Sequence, residues 1–293
     1  MSDVLIRGIF PHGGLRFVFC QGAGLCNEGL RRHRADPISG WLLGEALVAA
    51  ALLSAQLKFD ERLTLRWIYP GPIGTILADV NESAEVRGFP QRLTLLPDVN
   101  SVAAAIGGDG RISAVTSLPN RIGRTGITEA IFRDVSRDLA YFLSLSYQVE
   151  SAVAVGLAMR AELPAAVEFA TGILLQPLPG GRLERFDEAR RISESLPFRQ
   201  WLEAAPRSLH ETLARLDLGE TPQELQQQVP VYKCNCSKHK VESVLRTLDP
   251  DEIRSMLEQE GMAQVNCHFC ADTYYFSAAD LQSILDNSLA GTA

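Results

Sequence analysis

An α+β fold is predicted for this chain. A mixed sheet-and-helix N-terminal core domain spans 1–178, a helical linker 179–230, and a small C-terminal cysteine-bearing domain 231–293. Three observations predict this. In the first part, β-rich runs with alternating apolar residues surround one long apolar helix pattern. From residue 181 the composition turns dense in Arg, Glu and Gln. Near the C-terminus, four of the six cysteines fall in two tight pairs. A chain of 293 residues, 46% hydrophobic, has enough apolar material for one large domain and a smaller one.

Taken in order, "LRFVFCQ" (15–21) is β-rich, and "GAGLC" reads as a Gly-rich turn holding Cys26. "ADPISGWLLGEALVAAALLSAQLKF" reads as a long helix, with Asp36 as N-cap and Pro37 at its first position. Its apolar stretch, 41–57, is too short for a membrane span and carries Glu45, so a buried helix is expected. "RLTLRWIY", "GTILADV", "AEVRGF" and "RISAVTSL" read as strands. In "ITEAIFRDVSRDLAYFLSLS" (127–146), Ile127, Ile131, Val135, Leu139 and Phe142 recur near the helical period, which predicts one helix. "SAVAVGLAM" and "GILLQPLPGG" read as buried strands, the second ending on a Pro-Gly turn.

Pro197, Pro206 and Pro222 divide 181–230 into short helical pieces. Its apolar residues, Phe186, Phe198, Trp201, Leu202, Leu213 and Leu216 among them, are too many for a disordered tether and too sparse for an independent core. We expect a segment that folds by docking its apolar stripe on the core domain and opens readily. Beyond it, Asp249-Pro250-Asp251-Glu252 reads as a helix start resembling a capping box, and Gly261 suits a left-handed helix end. "YYF" (274–276) reads as a strand, and Ser277 with Asp280 opens a last helix. Burial alone is marginal for so small a domain, and a metal commonly makes up the deficit.

A net charge of -7 argues against nucleic-acid binding, which needs basic surface to replace counterions. The basic run Arg31-Arg32-His33-Arg34 is read as a solvated turn before a helix. "MSDVLIRGIF" lacks a basic stretch followed by an apolar core, so no signal peptide and a cytoplasmic location are expected. Clustered cysteines there mean metal or redox chemistry more often than static disulfides. No G-x-S-x-G, G-x-x-x-x-G-K-[ST] or H-E-x-x-H occurs, "GGDG" (107–110) reads as a turn, and no enzymatic activity is expected.

The cysteines carry the chemistry. Cys234 and Cys236 form C-x-C, Cys267 and Cys270 form C-x-x-C, and a helical excursion separates them. Four soft thiolates so arranged suit one tetrahedral Zn²⁺. His239 and His268 are near enough to be alternative ligands, but four cysteines already fill a tetrahedral site, so both are read as neighbours or surface residues. One reading is a zinc ion that staples a small domain permanently, as in an adaptor or binding protein. The other is a switch. Each pair is close enough to form its own disulfide once zinc is lost, metal-bound thiolates are nucleophilic toward oxidants, and zinc binding is folding energy. Cys20 is read as a small buried hydrophobe, and nothing near Cys26 supplies a base or metal partner.

"YKCNCSKHKVESVLRTLDPDEIRSMLEQEGMAQVNCHFCADTYYFSAADL" resembles the zinc domain of the redox-regulated heat-shock chaperones of the 33-kilodalton class. Their hallmark is C-x-C-S, a spacer near thirty residues, then C-x-x-C with a Tyr and a Phe shortly after. "LLGEALVAAALLSAQLKFDERLTL", "VRGF", "SAVAVGLAM" and "LLQPLPGG" resemble that family's N-terminal domain, so the likeness covers nearly the whole chain. Ser146-Tyr147-Gln148 departs from the family's Ser-Glu-Gln, and Arg133 and Arg137 stand where an acidic stretch is usual. The resemblance implies an ATP-independent holdase, poorly active while reduced and zinc-bound. Oxidation would form Cys234–Cys236 and Cys267–Cys270 disulfides, release zinc, and unfold the C-terminal domain and linker. The exposed surface would bind unfolding client proteins, with homodimerisation on activation and no nucleic-acid or membrane partner.

Overall fold

The computed structural model describes residues 2–119, 121–160 and 165–290. It comprises two compact units, Met1–Lys233 and Cys234–Ala293. The first runs β1 (Val4–Phe10), β2 (Leu15–Gln21), α1 (Ala23–His33), α2 (Pro37–Ser54), β3 (Arg62–Ile68), β4 (Thr75–Asn81), β5 (Glu85–Pro90) and α3 (Val102–Ile106). It continues with β6 (Gly110–Leu118), β7 (Arg121–Ala130), α4 (Val135–Leu145), β8 (Ala152–Met159) and β9 (Val167–Pro177). Three short helices follow, α5 (Leu183–Ser193), α6 (Leu196–Ala204) and α7 (Leu209–Leu216), then strands β10 (Gln223–Gln228) and β11 (Val231–Tyr232). The second unit holds α8 (Lys238–Leu245), α9 (Pro250–Gln259), β12 (Met262–Asn266), β13 (Thr273–Ser277) and α10 (Ala278–Ala290).

Two sheets sandwich α2. One has the order β10-β1-β2-β9-β8, the other β11-β5-β4-β3-β6-β7, and their pairings are antiparallel except β11 with β5. The α2 start is as the sequence predicts: Asp36 accepts from the Ser39 N–H at 2.7 Å and Pro37 opens the first turn. Among the described residues α2 alone is long and apolar enough to cross a membrane, yet 83% of it is buried inside the protein. It packs on β4 and β5 on one side and on β8 and β9 on the other. Such a helix is apolar all round because both flanks are core.

The five-stranded sheet is buried on both faces, and its side chains sort by the two-residue period of a strand. Val18, Cys20, Val153, Val155 and Leu174 join the core around α2. Their neighbours Phe17, Phe19, Ala152, Ala154, Ile173 and Leu175 join a second core on the opposite face. The other half of that second core comes from α5–α7: Phe186, Phe198, Leu202, Leu213 and Leu216. A Cβ at Gly156 in β8 would stand 2.4 Å from the Leu202 Cβ, so only glycine lets α6 lie this close to the strand. The expected short helical pieces are thus present, and their apolar stripe lies on the five-stranded sheet. The segment does not stay helical throughout: β10, polar but for Leu225, pairs antiparallel with β1.

Several expectations are corrected. The helix predicted over 127–146 begins only at Val135, because Asp134 accepts from the Ser136 and Arg137 N–H groups and caps it. Ile127 lies in β7 opposite Ser113 and is 61% exposed, so it belongs to no helical stripe. Cys26 sits in α1, not in a turn, and Arg31–His33 form the last turn of that helix. Arg31 and Arg32 both bond Glu28, whose carboxyl is drawn down to about 2 chiefly by the Arg31 hydrogen bond.

Candidate metal centre

The cysteine-bearing unit is small. Its core consists of Leu245, Ile253, Ala263, Phe276, Leu281, Ile284 and Leu285 among the buried residues described. Local signals build it largely as the sequence suggests. Ser237 caps α8 through the Lys240 N–H, and Asp249 caps α9 through the Asp251 N–H. Ser277 and Asp280 bond each other's backbone N–H groups at the start of α10. Gly261, at φ 65, follows α9 in the left-handed conformation expected of it. A helix with only Ile253 buried, α9, cannot fold by burial alone.

The chain brings all four cysteines of the two pairs to one place. Cys234 and Cys236 lie on the extended approach to α8, while Cys267 and Cys270 occupy the turn between β12 and β13. That turn is closed by the Cys267 N–H donating to the Asp272 carbonyl at 2.9 Å and the Ala271 N–H donating to the Cys267 carbonyl at 2.8 Å. Ala271 takes a left-handed conformation, φ 58, so the chain doubles back immediately after Cys270. The β12–β13 register, with Asn266 opposite Thr273, holds the base of this turn.

All four Sγ atoms lie within 4.8 Å of one another. Across the pairs, Cys234 and Cys267 sulfurs are 3.8 Å apart and those of Cys236 and Cys270 are 3.2 Å apart. A tetrahedral site with Zn–S bonds of about 2.3 Å has S···S edges of about 3.8 Å. Donor number, donor softness and spacing therefore fit one soft, four-coordinate cation. None of the cysteines is in a disulfide. Burial pushes the Cys236 and Cys270 thiols up from their ordinary value; the Cys236 and Cys267 sulfurs add to this at Cys270, while at Cys236 the Tyr274 hydroxyl and the Cys270 sulfur oppose it. Such a cluster resists ionisation until a cation compensates it.

One neighbour was not legible in the sequence as a site residue. The Tyr274 hydroxyl donates to the Cys236 sulfur at 3.0 Å, and Tyr274 faces Val265 across the hairpin. The "YYF" run reads as a strand, and only the β12–β13 pairing reveals which tyrosine reaches the sulfur. The two histidines considered as alternative ligands do not join the group, which consists of the four cysteines alone among the described residues. Cys20 and Cys26 lie fully buried in the first unit, and burial pushes both thiols well up, as inert core residues.

Residues 3–277 match the family described as Hsp33 protein. This chain belongs to the Hsp33 family. An Hsp33 relative, the 33 kDa chaperonin of Bacillus subtilis (strain 168), is 31% identical over 294 residues, covering 98% of this chain and 99% of the relative. The 33 kDa chaperonin of Listeria welshimeri is 32% identical over 295 residues, covering 98% of this chain and 100% of its own. The crystal structure of the Thermotoga maritima 33 kDa chaperonin, an Hsp33 homolog, superposes with a TM-score of 0.86 at 26% identity. That match covers 99% of this chain and 100% of the other. Hsp33 proteins are chaperones, and membership supports a chaperone function for this chain.

Proposed function

We propose that the chain is a redox-regulated, ATP-independent holdase that binds unfolding proteins under oxidative stress. The observation that carries this reading is the convergence of four thiols in a unit whose apolar core is too small to stand alone. In the reduced state Cys234, Cys236, Cys267 and Cys270 would hold Zn²⁺. The ion supplies a cross-link and the charge that keeps four clustered sulfurs as thiolates. Tyr274 holds the Cys236 sulfur in place through its hydroxyl.

Oxidation would then close Cys234–Cys236 and Cys267–Cys270. Each disulfide formed gives up two electrons, and a peroxide accepting them is reduced to two waters, taking the two protons released or their equivalent from solvent. The four donors disappear together, and the small unit loses its principal cross-link. Residues 179–230 are proposed as the metastable linker. Release of α5–α7 uncovers Phe17, Phe19, Ile173 and Leu175 on the five-stranded sheet, a face able to take apolar client segments. A reducing compartment, the cytoplasm, suits such a thiol switch, and a second copy of the chain is a further candidate for the uncovered face.

The test is suppression of aggregation of a denatured client by reduced protein and by protein treated with peroxide and heat. The expected result is suppression by the oxidised form only. Equal activity in both forms overturns the redox switch, and inactivity in both overturns the holdase reading. A different reading, an adaptor with a permanently structural zinc domain, rests on the same sulfur cluster. It requires zinc to be retained under peroxide, which a metallochromic dye with parallel thiol counting decides.

A further inference from the structure

Helix α6 is tied to the core by more than its apolar stripe. The Arg199 guanidinium meets three carboxylates: Glu45 on α2 at 2.5 Å, Glu203 on its own helix at 3.0 Å, and Asp134, the N-cap of α4. Glu45 and Asp134 are buried, with side chains 2% and 8% exposed, while Arg199 is 28% exposed. The second oxygen of Asp134 is occupied in capping α4, so Arg199 joins α6 at once to the central helix and to the start of α4. One positive group therefore serves three negative ones at the point where the cover meets the core.

This imbalance has a thermodynamic direction. A buried ion pair seldom repays the desolvation of both partners, yet removing one partner strands the other and is strongly destabilising. Glu45 is desolvated more than Arg199 compensates: its carboxyl lies above the ordinary range, burial being the largest cause and Arg199 the chief opposing one. The ionisable groups around it are Arg199 and Glu203 on α6, Asp134 and Asp138 by α4, and Tyr69 beyond β3. Tyr69 donates to Asp138 at 2.8 Å, and Asp138 also accepts from the Phe132 N–H, so that pair is satisfied internally.

We propose that Arg199 is the positioning residue that seats the α5–α7 cover, and that the surplus of carboxylates around it keeps the cover only weakly docked. This rests on the reading of α5–α7 as a releasable cover. On it, ionised Glu45 makes the cover easy to release, while Arg199 fixes where it returns. Neutralising Glu45 tightens docking, and removing Arg199 loosens it.

The experiment uses the reduced, zinc-loaded full chain and reads amide hydrogen exchange in 183–216, with β8–β9 exchange and zinc content as controls. Arg199→Gln is expected to raise exchange in 183–216 at least tenfold, and Glu45→Gln to lower it several-fold. The double variant is expected to exchange more slowly than Arg199→Gln alone without reaching the unaltered chain, because Glu45 no longer carries a stranded charge while Asp134 still does. Glu45 sits above its ordinary value when docked and returns toward it when hydrated, so docking is strongest at low pH and weakens as pH rises through the elevated value. Glu194, at the end of α5, is also raised by burial and adds to that slope, so the slope should flatten in Glu45→Gln. Exchange unchanged by Arg199→Gln, a double variant as loose as Arg199→Gln alone, or an undiminished slope in Glu45→Gln overturns the proposal. Exchange reports docking without any client, so these outcomes are separate from those of the aggregation assay.

Discussion

Tyr274 is the one side chain whose hydroxyl donates directly to a sulfur of the cluster among the described contacts. A hydrogen bond to sulfur withdraws electron density from the nucleophile and is worth about 1 kcal/mol. On the proposed zinc site, Tyr274→Phe should therefore leave one zinc per chain and make peroxide consume thiols about fivefold faster, followed by timed thiol counting. Unchanged rates would assign the tyrosine to packing alone. Residue identity was the most legible layer at this site. The four cysteines are legible as candidate metal ligands from spacing alone, because ligand chemistry depends on residue type, and the structure brings their sulfurs together. Tyr274 and Arg199 announced nothing, because their roles come from pairings of β12 with β13 and of α6 with α2 that no local pattern encodes.

Among the elements, α6 carries the cover's tightest packing, with Leu202 against Gly156 and Phe198 and Leu202 both in the second core. Leu202→Ala is expected to cost about 2–5 kcal/mol of docking. It should make 181–222 sensitive to limited proteolysis in the reduced state, with zinc retained; resistance equal to that of the unaltered chain would show that α6 does not hold the cover. What could be read from sequence at this scale followed local capping and period. Helix α2 was legible through Asp36, Pro37 and its unbroken apolar run, and α9 through Asp249 and Pro250. Helix α1 was missed because its first turn, Ala23-Gly24-Leu25, follows Gly22 with no side-chain cap and reads as a turn. The helix over 127–146 reads too long because Ile127 in β7 and Ile131 just after it fall in step with α4. Strand β10, Gln-Glu-Leu-Gln-Gln-Gln, has no strand signal of its own, and its conformation is set by the edge of β1.

At the scale of the whole molecule, the two units differ in what stabilises them. Met1–Lys233 has two extensive cores around a shared sheet, whereas Cys234–Ala293 has one small cluster. With zinc on the four cysteines as proposed, chelation is expected to unfold the second unit alone, since structural zinc contributes about 10–16 kcal/mol in small domains. Amide exchange should become fast over 234–290 while β3, β4 and β9 stay protected; protection persisting in 234–290 after chelation would mean that burial suffices.

The cover α5–α7 is also a closed loop in the chain. It leaves the five-stranded sheet at the end of β9 and rejoins the same sheet at β10, so both its ends are anchored beside the face it conceals. A released cover with those anchors intact stays at millimolar effective concentration over its own seat and competes with every bound guest. On the proposed holdase function, occupancy would thus be self-limiting, and eviction would draw on chain connectivity instead of a nucleotide. Cutting the loop at Pro179–Gly180, where both residues are exposed, should lengthen the residence of a bound client; an unchanged residence time would mean the cover plays no part in eviction.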